Sequence, residues 1–125
     1  MRTPLAQVRG LGSAGKGTGE FIVQRVTSVA LAILLTAFLV LLVALNGEPH
    51  ETVIATLSMP LVAILVLAAI LVTIVHMRIG MQVIVEDYVH GELAKFALLI
   101  ANWLFSWAVG LAAAFAVLKI AFGAA

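Results

Sequence analysis

His76 ends an almost wholly apolar run that extends from Leu57 to Val75. An ionisable side chain near the end of such a run is costly in a membrane unless it is paired or binds a ligand, so a functional role is the default interpretation. Neutral imidazole is a common ligand of haem iron. The competing interpretation is an interfacial histidine that is hydrogen-bonded to a neighbouring helix.

The residues after His76 place further chemical groups on one side of a helix, which we call the His76 face: His76, Gly80, Val83 and Asp87. At about 100° per residue, Asp87 lies about 20° from His76, and Gly80 and Val83 lie within about 40° of it. A glycine at this position lets a flat macrocycle or a neighbouring backbone approach. Ordinary packing of small residues between helices explains Gly80 equally well.

Asp87 and Tyr88 stand where this helix is expected to reach the membrane surface. A phenol can donate a hydrogen bond to a quinone carbonyl, and a neighbouring carboxylate can orient the quinone or relay protons. The alternative is a tyrosine of the interfacial aromatic belt beside a solvated acid. Arg25 lies at the entrance of the first apolar block. It could pair with a haem propionate or with Asp87, or it could be an anchor whose charged end snorkels to the membrane surface.

The glycine-rich segment from Gly10 to Lys16 matches the G-x-G-x-x-G fingerprint and nearly matches a phosphate loop. Both motifs need a strand before and a helix after them in an α/β unit, which this sequence does not predict. Gly17 also stands where the phosphate loop needs Ser or Thr. The net charge of +1 gives no support to nucleic-acid binding, and the lack of cysteine excludes thiolate metal sites.

Three long apolar blocks must position these groups. The chain is 64% hydrophobic and 10% charged, whereas soluble domains average about 45–50% and about 25%. A membrane-spanning helix needs roughly 20 apolar residues. The predicted fold is therefore all-α: an integral membrane domain over residues 21–125 with three transmembrane helices at about 21–45, 53–88 and 93–122. Residues 1–20 are predicted to form an amino-terminal cytoplasmic arm.

Turn and charge patterns set the helix ends and the orientation. Asn46–Pro49 predicts a turn, Gly91 predicts a break, and Pro60 either opens the second helix or kinks one that began earlier. On the third helix, Ser106, Gly110 and Ala114 form a small-residue packing face.

Basic residues predict a cytoplasmic amino terminus. They are Arg2, Arg9, Lys16 and Arg25 at the amino-terminal end of the first span, and Arg78 and Lys95 near the second loop. Lys119, near the far end of the third span, is the basic residue that runs against this pattern.

The stretch His76–Tyr88, HMRIGMQVIVEDY, resembles the H-x-x-x-G-x-x-x-x-x-x-D-Y motif of the smaller hydrophobic membrane anchor of bacterial succinate dehydrogenase, the cytochrome b small subunit. Phe21–Leu31, FIVQRVTSVAL, is similar to the first-helix entrance of that family, where an Arg is followed two residues later by Thr. The length, the three spans and the predicted orientation also agree, so the resemblance covers nearly the whole chain.

The resemblance implies residue roles. His76 is implied as one axial ligand of a haem b, whose second ligand is a histidine of the partner anchor. Tyr88 is implied to hydrogen-bond ubiquinone with Asp87 beside it, and Arg25 to lie near the haem propionates and the quinone pocket. Some members place a histidine a few residues before the first span, where this chain has Thr18-Gly19-Glu20.

The resemblance also implies a setting: a non-catalytic subunit of a succinate:quinone oxidoreductase in the bacterial inner membrane, surrounded by lipid. The implied partners are a larger cytochrome b anchor, an iron–sulfur subunit and a flavoprotein that oxidises succinate. One alternative is the anchor of a fumarate reductase. Another is a small membrane adaptor or transporter component without a cofactor, which predicts no Soret band and tolerance of His76→Ala.

Overall fold

The computed structural model describes residues 4–8 and 16–123. These residues form α1 (Pro4–Val8), α2 (Lys16–Leu45), α3 (His50–Leu57), α4 (Pro60–Tyr88) and α5 (Glu92–Ala121), and no strand occurs among them. The predicted all-α fold is confirmed. The glycine-rich motif from Gly10 to Gly15 lies outside the described residues, as do Arg2 and Arg9.

Three of the helices are long and apolar enough to cross a membrane: Thr18–Leu45, Pro60–Tyr88 and Glu92–Ala121. At about 1.5 Å per residue each is longer than the roughly 30 Å of a hydrocarbon core. Many large apolar side chains point outward, among them Ile33 and Val43, which are 67% and 76% exposed. Lipid tails solvate such side chains, so this surface suits a bilayer.

The amino-terminal end of α2 begins at Lys16, where the sequence predicted the first span from about residue 21. The added segment, Lys16–Glu20, contains two glycines and is a poor helix former alone. Extending an existing helix is much easier than nucleating one. Glu20 also accepts a hydrogen bond from Gln82 Nε2 of α4 at 3.4 Å, which holds this turn against the bundle.

The region predicted as one span over 53–88 contains two helices, α3 and α4. Pro60 occupies the first turn of α4, and Met59 before it is extended, with φ −62° and ψ 130°, as proline requires of its predecessor. Ser58 Oγ lies 2.7 Å from the carbonyl oxygen of Ile54 and 3.1 Å from that of Ile120. The break is therefore tied to the end of α5.

Helix α4 lies at the centre and packs against both α2 and α5. Six of its apolar residues are buried, whereas the buried residues of α5 are Ser106 and Gly110. The predicted small-residue face of α5 is confirmed at these two positions, because Ser106 is fully buried and Gly110 lies against Ile74 of α4. The central helix is thus the one that carries the His76 face.

We expect Gly110→Ala to weaken the bundle more than Gly80→Ala does. A Cβ at Gly110 would lie 3.2 Å from Ile74 Cγ1, whereas a Cβ at Gly80 would lie at an ordinary 3.5 Å from Gln24 Nε2. Overpacking typically costs about 1–3 kcal/mol. The measurement is the thermal midpoint of the purified assembly in detergent, with Gly80→Ala as the matched control. Equal midpoints for the two variants would show that Ile74 moves aside freely.

Candidate functional site

Helices α2 and α4 run antiparallel, and three side-chain contacts fix their register. The three pairs are Thr27 with His76, Gln24 with Gly80, and Glu20 with Gln82. The two residue numbers of each pair add up to nearly the same value, as expected of two antiparallel helices with a constant register. The amino-terminal end of α2 therefore lies beside the carboxyl-terminal end of α4.

His76 is half-buried on α4 and is bonded to α2. Its Nδ1 lies 2.9 Å from Oγ1 of Thr27. The competing interpretation of His76, a histidine bonded to a neighbouring helix, is thus observed for one ring nitrogen. It does not exclude ligation, because within the described part of the chain the second nitrogen, Nε2, has no hydrogen bond.

Gly80 faces the side chain of Gln24 on α2. Of the interpretations of Gly80, ordinary packing of a small residue against a neighbouring helix is therefore the one that the bundle shows. Gln24 Oε1 is buried, and no described residue gives it a hydrogen bond. Helix α2 therefore covers the His76 face at Gly80.

Asp87 and Tyr88 end α4, as predicted, and both are exposed; the Tyr88 side chain is 76% exposed. Tyr88 lies twelve residues beyond His76, or about 18 Å along the helix axis. The chain thus does not bring the two predicted sites into contact. It places an imidazole inside the span, and a phenol with an adjacent carboxylate at the end of the same helix.

Arg25 lies on a different side of α2 from Thr27, because two residues correspond to about 200°. Its guanidinium is exposed and sits over the ring of Phe21, 5.1 Å from the centroid. By the register of α2 and α4, Arg25 is level with Arg78 and about 13 Å from the level of Asp87. The chain by itself therefore does not favour an Arg25–Asp87 pair, and the propionate role stays a prediction.

Sequence reasoning missed a polar connection between α4 and α5. Asn102 Nδ2 donates to the carbonyl oxygen of Arg78 at 3.0 Å, and Ser106 Oγ donates to Asn102 Oδ1 at 3.4 Å. A groove of about 500 Å³ lies beside it and includes Arg78 and Trp103 in its lining. The position of Asn102 inside an apolar block could have predicted this connection, because asparagine side chains in membrane helices often hydrogen-bond to a neighbouring helix.

The residues around His76 are compatible with a ligand of a haem iron. Within residues 4–8 and 16–123, no three His, Asp or Glu side chains come together as a metal site. An imidazole nitrogen without a hydrogen bond is the kind of group that can bind a haem iron, and a haem needs fewer protein ligands than such a cluster would supply. A second ligand from a different chain is what the resemblance implies.

Comparison with known proteins supports that resemblance. The family model of the succinate dehydrogenase/fumarate reductase transmembrane subunit matches residues 1–120. The chain is 32% identical over 122 residues to the succinate dehydrogenase hydrophobic membrane anchor subunit of Paracoccus denitrificans, covering 98% of this chain and 94% of that one. It is 30% identical over 105 residues to the Rickettsia bellii protein of the same name, covering 84% of each. No solved structure gives a significant match.

Proposed function

Because the chain belongs to the family of succinate dehydrogenase/fumarate reductase transmembrane subunits, we propose that it binds one side of a haem b and part of a ubiquinone site in such a complex. The observation that carries the proposal is the His76 imidazole, held by Thr27 at 2.9 Å through one nitrogen and unbonded at the other among the described residues. Histidines that bind a metal characteristically donate their second ring N–H to a nearby acceptor, and the Thr27 hydroxyl lies where such an acceptor is needed.

The haem, when bound, would accept and return single electrons. His76 would hold this group through Nε2 of its imidazole, inside the span. Arg25, in the amino-terminal half of α2, is the residue proposed for the propionates. Its guanidinium is always charged and matches a carboxylate in shape.

Tyr88 and Asp87 are proposed to form this chain's share of the ubiquinone site. The phenol would donate a hydrogen bond to a quinone carbonyl oxygen, and the exposed carboxylate would pass protons inward as the quinone is reduced. The end of α4 suits this role, because electrons from water-soluble subunits arrive at the membrane surface. The bulk of the ring pocket would come from partner chains, since Tyr88 is 76% exposed here.

The orientation proposed for the chain places that end in the cytoplasm of a bacterial cell. The antiparallel register puts Arg25 and the carboxyl-terminal part of α4 in the same half of the bundle, and Lys95 follows on α5. The opposite loop carries Glu48 and Glu51 and no Lys or Arg. An excess of basic residues marks the cytoplasmic side of bacterial inner-membrane proteins.

Purification through a tag on this chain tests the assembly. We expect a second membrane anchor, an iron–sulfur subunit and a flavoprotein to co-purify, with succinate-dependent reduction of ubiquinone. We also expect the chain alone to be poorly behaved in detergent, because half of a haem site would be left without the partner anchor. A well-behaved monomer that captures none of these subunits would favour the cofactor-free adaptor.

The physiological direction is tested on the same preparation. The family model covers both succinate dehydrogenase and fumarate reductase, whereas the relatives named above are succinate dehydrogenase anchors. We therefore expect succinate oxidation with ubiquinone to be faster than fumarate reduction with a low-potential quinol. The opposite ratio would assign the chain to a fumarate reductase and leave its roles in haem and quinone binding unchanged.

A further inference from the structure

We propose that Thr27 is a positioning residue for the haem ligand: its hydroxyl accepts a hydrogen bond from Nδ1–H of His76 and leaves the lone pair of Nε2 for iron. The inference rests on the proposed haem ligation and adds a residue of α2 to it. It follows from three distances at one hydroxyl group.

The hydroxyl of Thr27 has a single proton and three near neighbours. Oγ1 lies 2.8 Å from the carbonyl oxygen of Val23, 3.1 Å from that of Gln24 and 2.9 Å from His76 Nδ1. Both carbonyls can only accept, so a bond to either of them uses the threonine proton. Such bonds from Ser or Thr to the preceding turn are common in helices. Nδ1 is then the donor to Oγ1.

This assignment decides the tautomer of His76. A neutral imidazole carries one proton, and if that proton is on Nδ1, Nε2 has a free lone pair. Iron ligation through Nε2 and donation from Nδ1 to Thr27 therefore use both ring nitrogens without conflict. Metal-bound histidines characteristically donate their second N–H to a nearby acceptor, which fixes the ring and raises its basicity.

The same contact fixes the plane of the ring. His76 belongs to α4 and Thr27 to α2, so the imidazole is held from a helix other than its own. Rotation about the side-chain bonds of His76 would break the contact. The position of α2 is thereby coupled to the direction in which Nε2 points.

The test compares Thr27→Val with Thr27→Ser in the assembled complex. Valine keeps the branched shape and removes the acceptor, whereas serine keeps the hydroxyl. Thr36→Val is the matched control, because Thr36 lies on the same helix and makes the same kind of bond, to Ala32 at 2.6 Å. Haem content and the midpoint potential of the haem are measured by a redox titration of its absorbance.

We expect Thr27→Val to lower haem affinity by about 10- to 100-fold, the usual effect of losing a hydrogen-bond partner of a ligand. The midpoint potential should rise, because a less basic imidazole stabilises ferric iron less. If the affinity for ferric haem falls tenfold more than the affinity for ferrous haem, the midpoint potential rises by about 59 mV. Thr27→Ser should restore both quantities, and Thr36→Val should change neither.

A wild-type potential and wild-type haem content in Thr27→Val would overturn the inference. If that variant does not assemble, Thr27→Ala removes the hydroxyl without a bulky side chain and decides the question in the same way. Absence of haem from the wild-type complex is a different outcome, because it would contradict the proposed function itself. Equal shifts in Thr27→Val and Thr27→Ser would also contradict the role of the hydroxyl.

Discussion

Replacement of His76 by alanine is expected to remove the haem from the assembled complex. The change deletes the proposed bond from His76 to the iron, and even loss of a partner that only orients a ligand costs about 10- to 100-fold in affinity. Haem affinity should therefore fall by at least about 100-fold, and the purified complex should contain little or no haem. Quinone reduction should partly survive, since Tyr88 lies about 18 Å away along the helix.

The matched control for this variant is His50→Ala. His50 is exposed at the first position of α3, across the bundle from the end of α4 that carries Tyr88. Its loss should leave the haem spectrum unchanged. A normal haem spectrum in His76→Ala would remove the ligand assignment and leave His76 as a histidine that only joins α4 to Thr27.

Replacement of Tyr88 by phenylalanine is expected to slow quinone reduction without affecting succinate oxidation. The variant keeps the ring and loses one donor. A neutral hydrogen bond contributes about 0.5–1.5 kcal/mol, so quinone binding should weaken by roughly three- to tenfold. The effect on the rate is larger if the bond strengthens as negative charge develops on the quinone oxygen during the reaction. Oxidation of succinate by an artificial acceptor bypasses this site and should keep its full rate.

Asp87→Asn should give a similar loss, with an altered pH dependence of quinone reduction if the carboxylate relays protons. Glu86→Gln is its matched control, because Glu86 is an exposed neighbouring acid that is already bonded to Gln82 at 3.0 Å. Full quinone reductase activity in Tyr88→Phe would assign Tyr88 to the aromatic belt. The quinone site would then have to lie on the partner anchor.

Periodicity along one helix predicted much of the candidate site. His76 and Asp87 were placed on one face by angle alone, and α4 is continuous from Pro60 to Tyr88, so that angular argument holds. The all-α fold and the three apolar spans followed from the length of the apolar blocks. These features depend on neighbouring residues in sequence, which is why they can be read without knowledge of the packing.

Contacts between helices could not be predicted in the same way. The pairing of Thr27 with His76 and of Gln24 with Gly80 depends on how far α2 slides along α4, and no local pattern sets that distance. Pro60 left two possibilities open for the start of α4, whereas the bond from Ser58 to the carbonyl oxygen of Ile120 joins residues that are distant in sequence. No local pattern gives Thr27 a role, and its pairing with His76 follows from the register of the two helices.

The haem content of the complex purified through this chain tests the central claim most directly. The reduced-minus-oxidised visible spectrum and the pyridine haemochrome should show one haem b for each copy of the chain. The haem should be lost in His76→Ala and retained in His50→Ala. A complex with full succinate:quinone reductase activity and no Soret band would contradict the claim, because His76 would then be an anchor residue without an iron to bind.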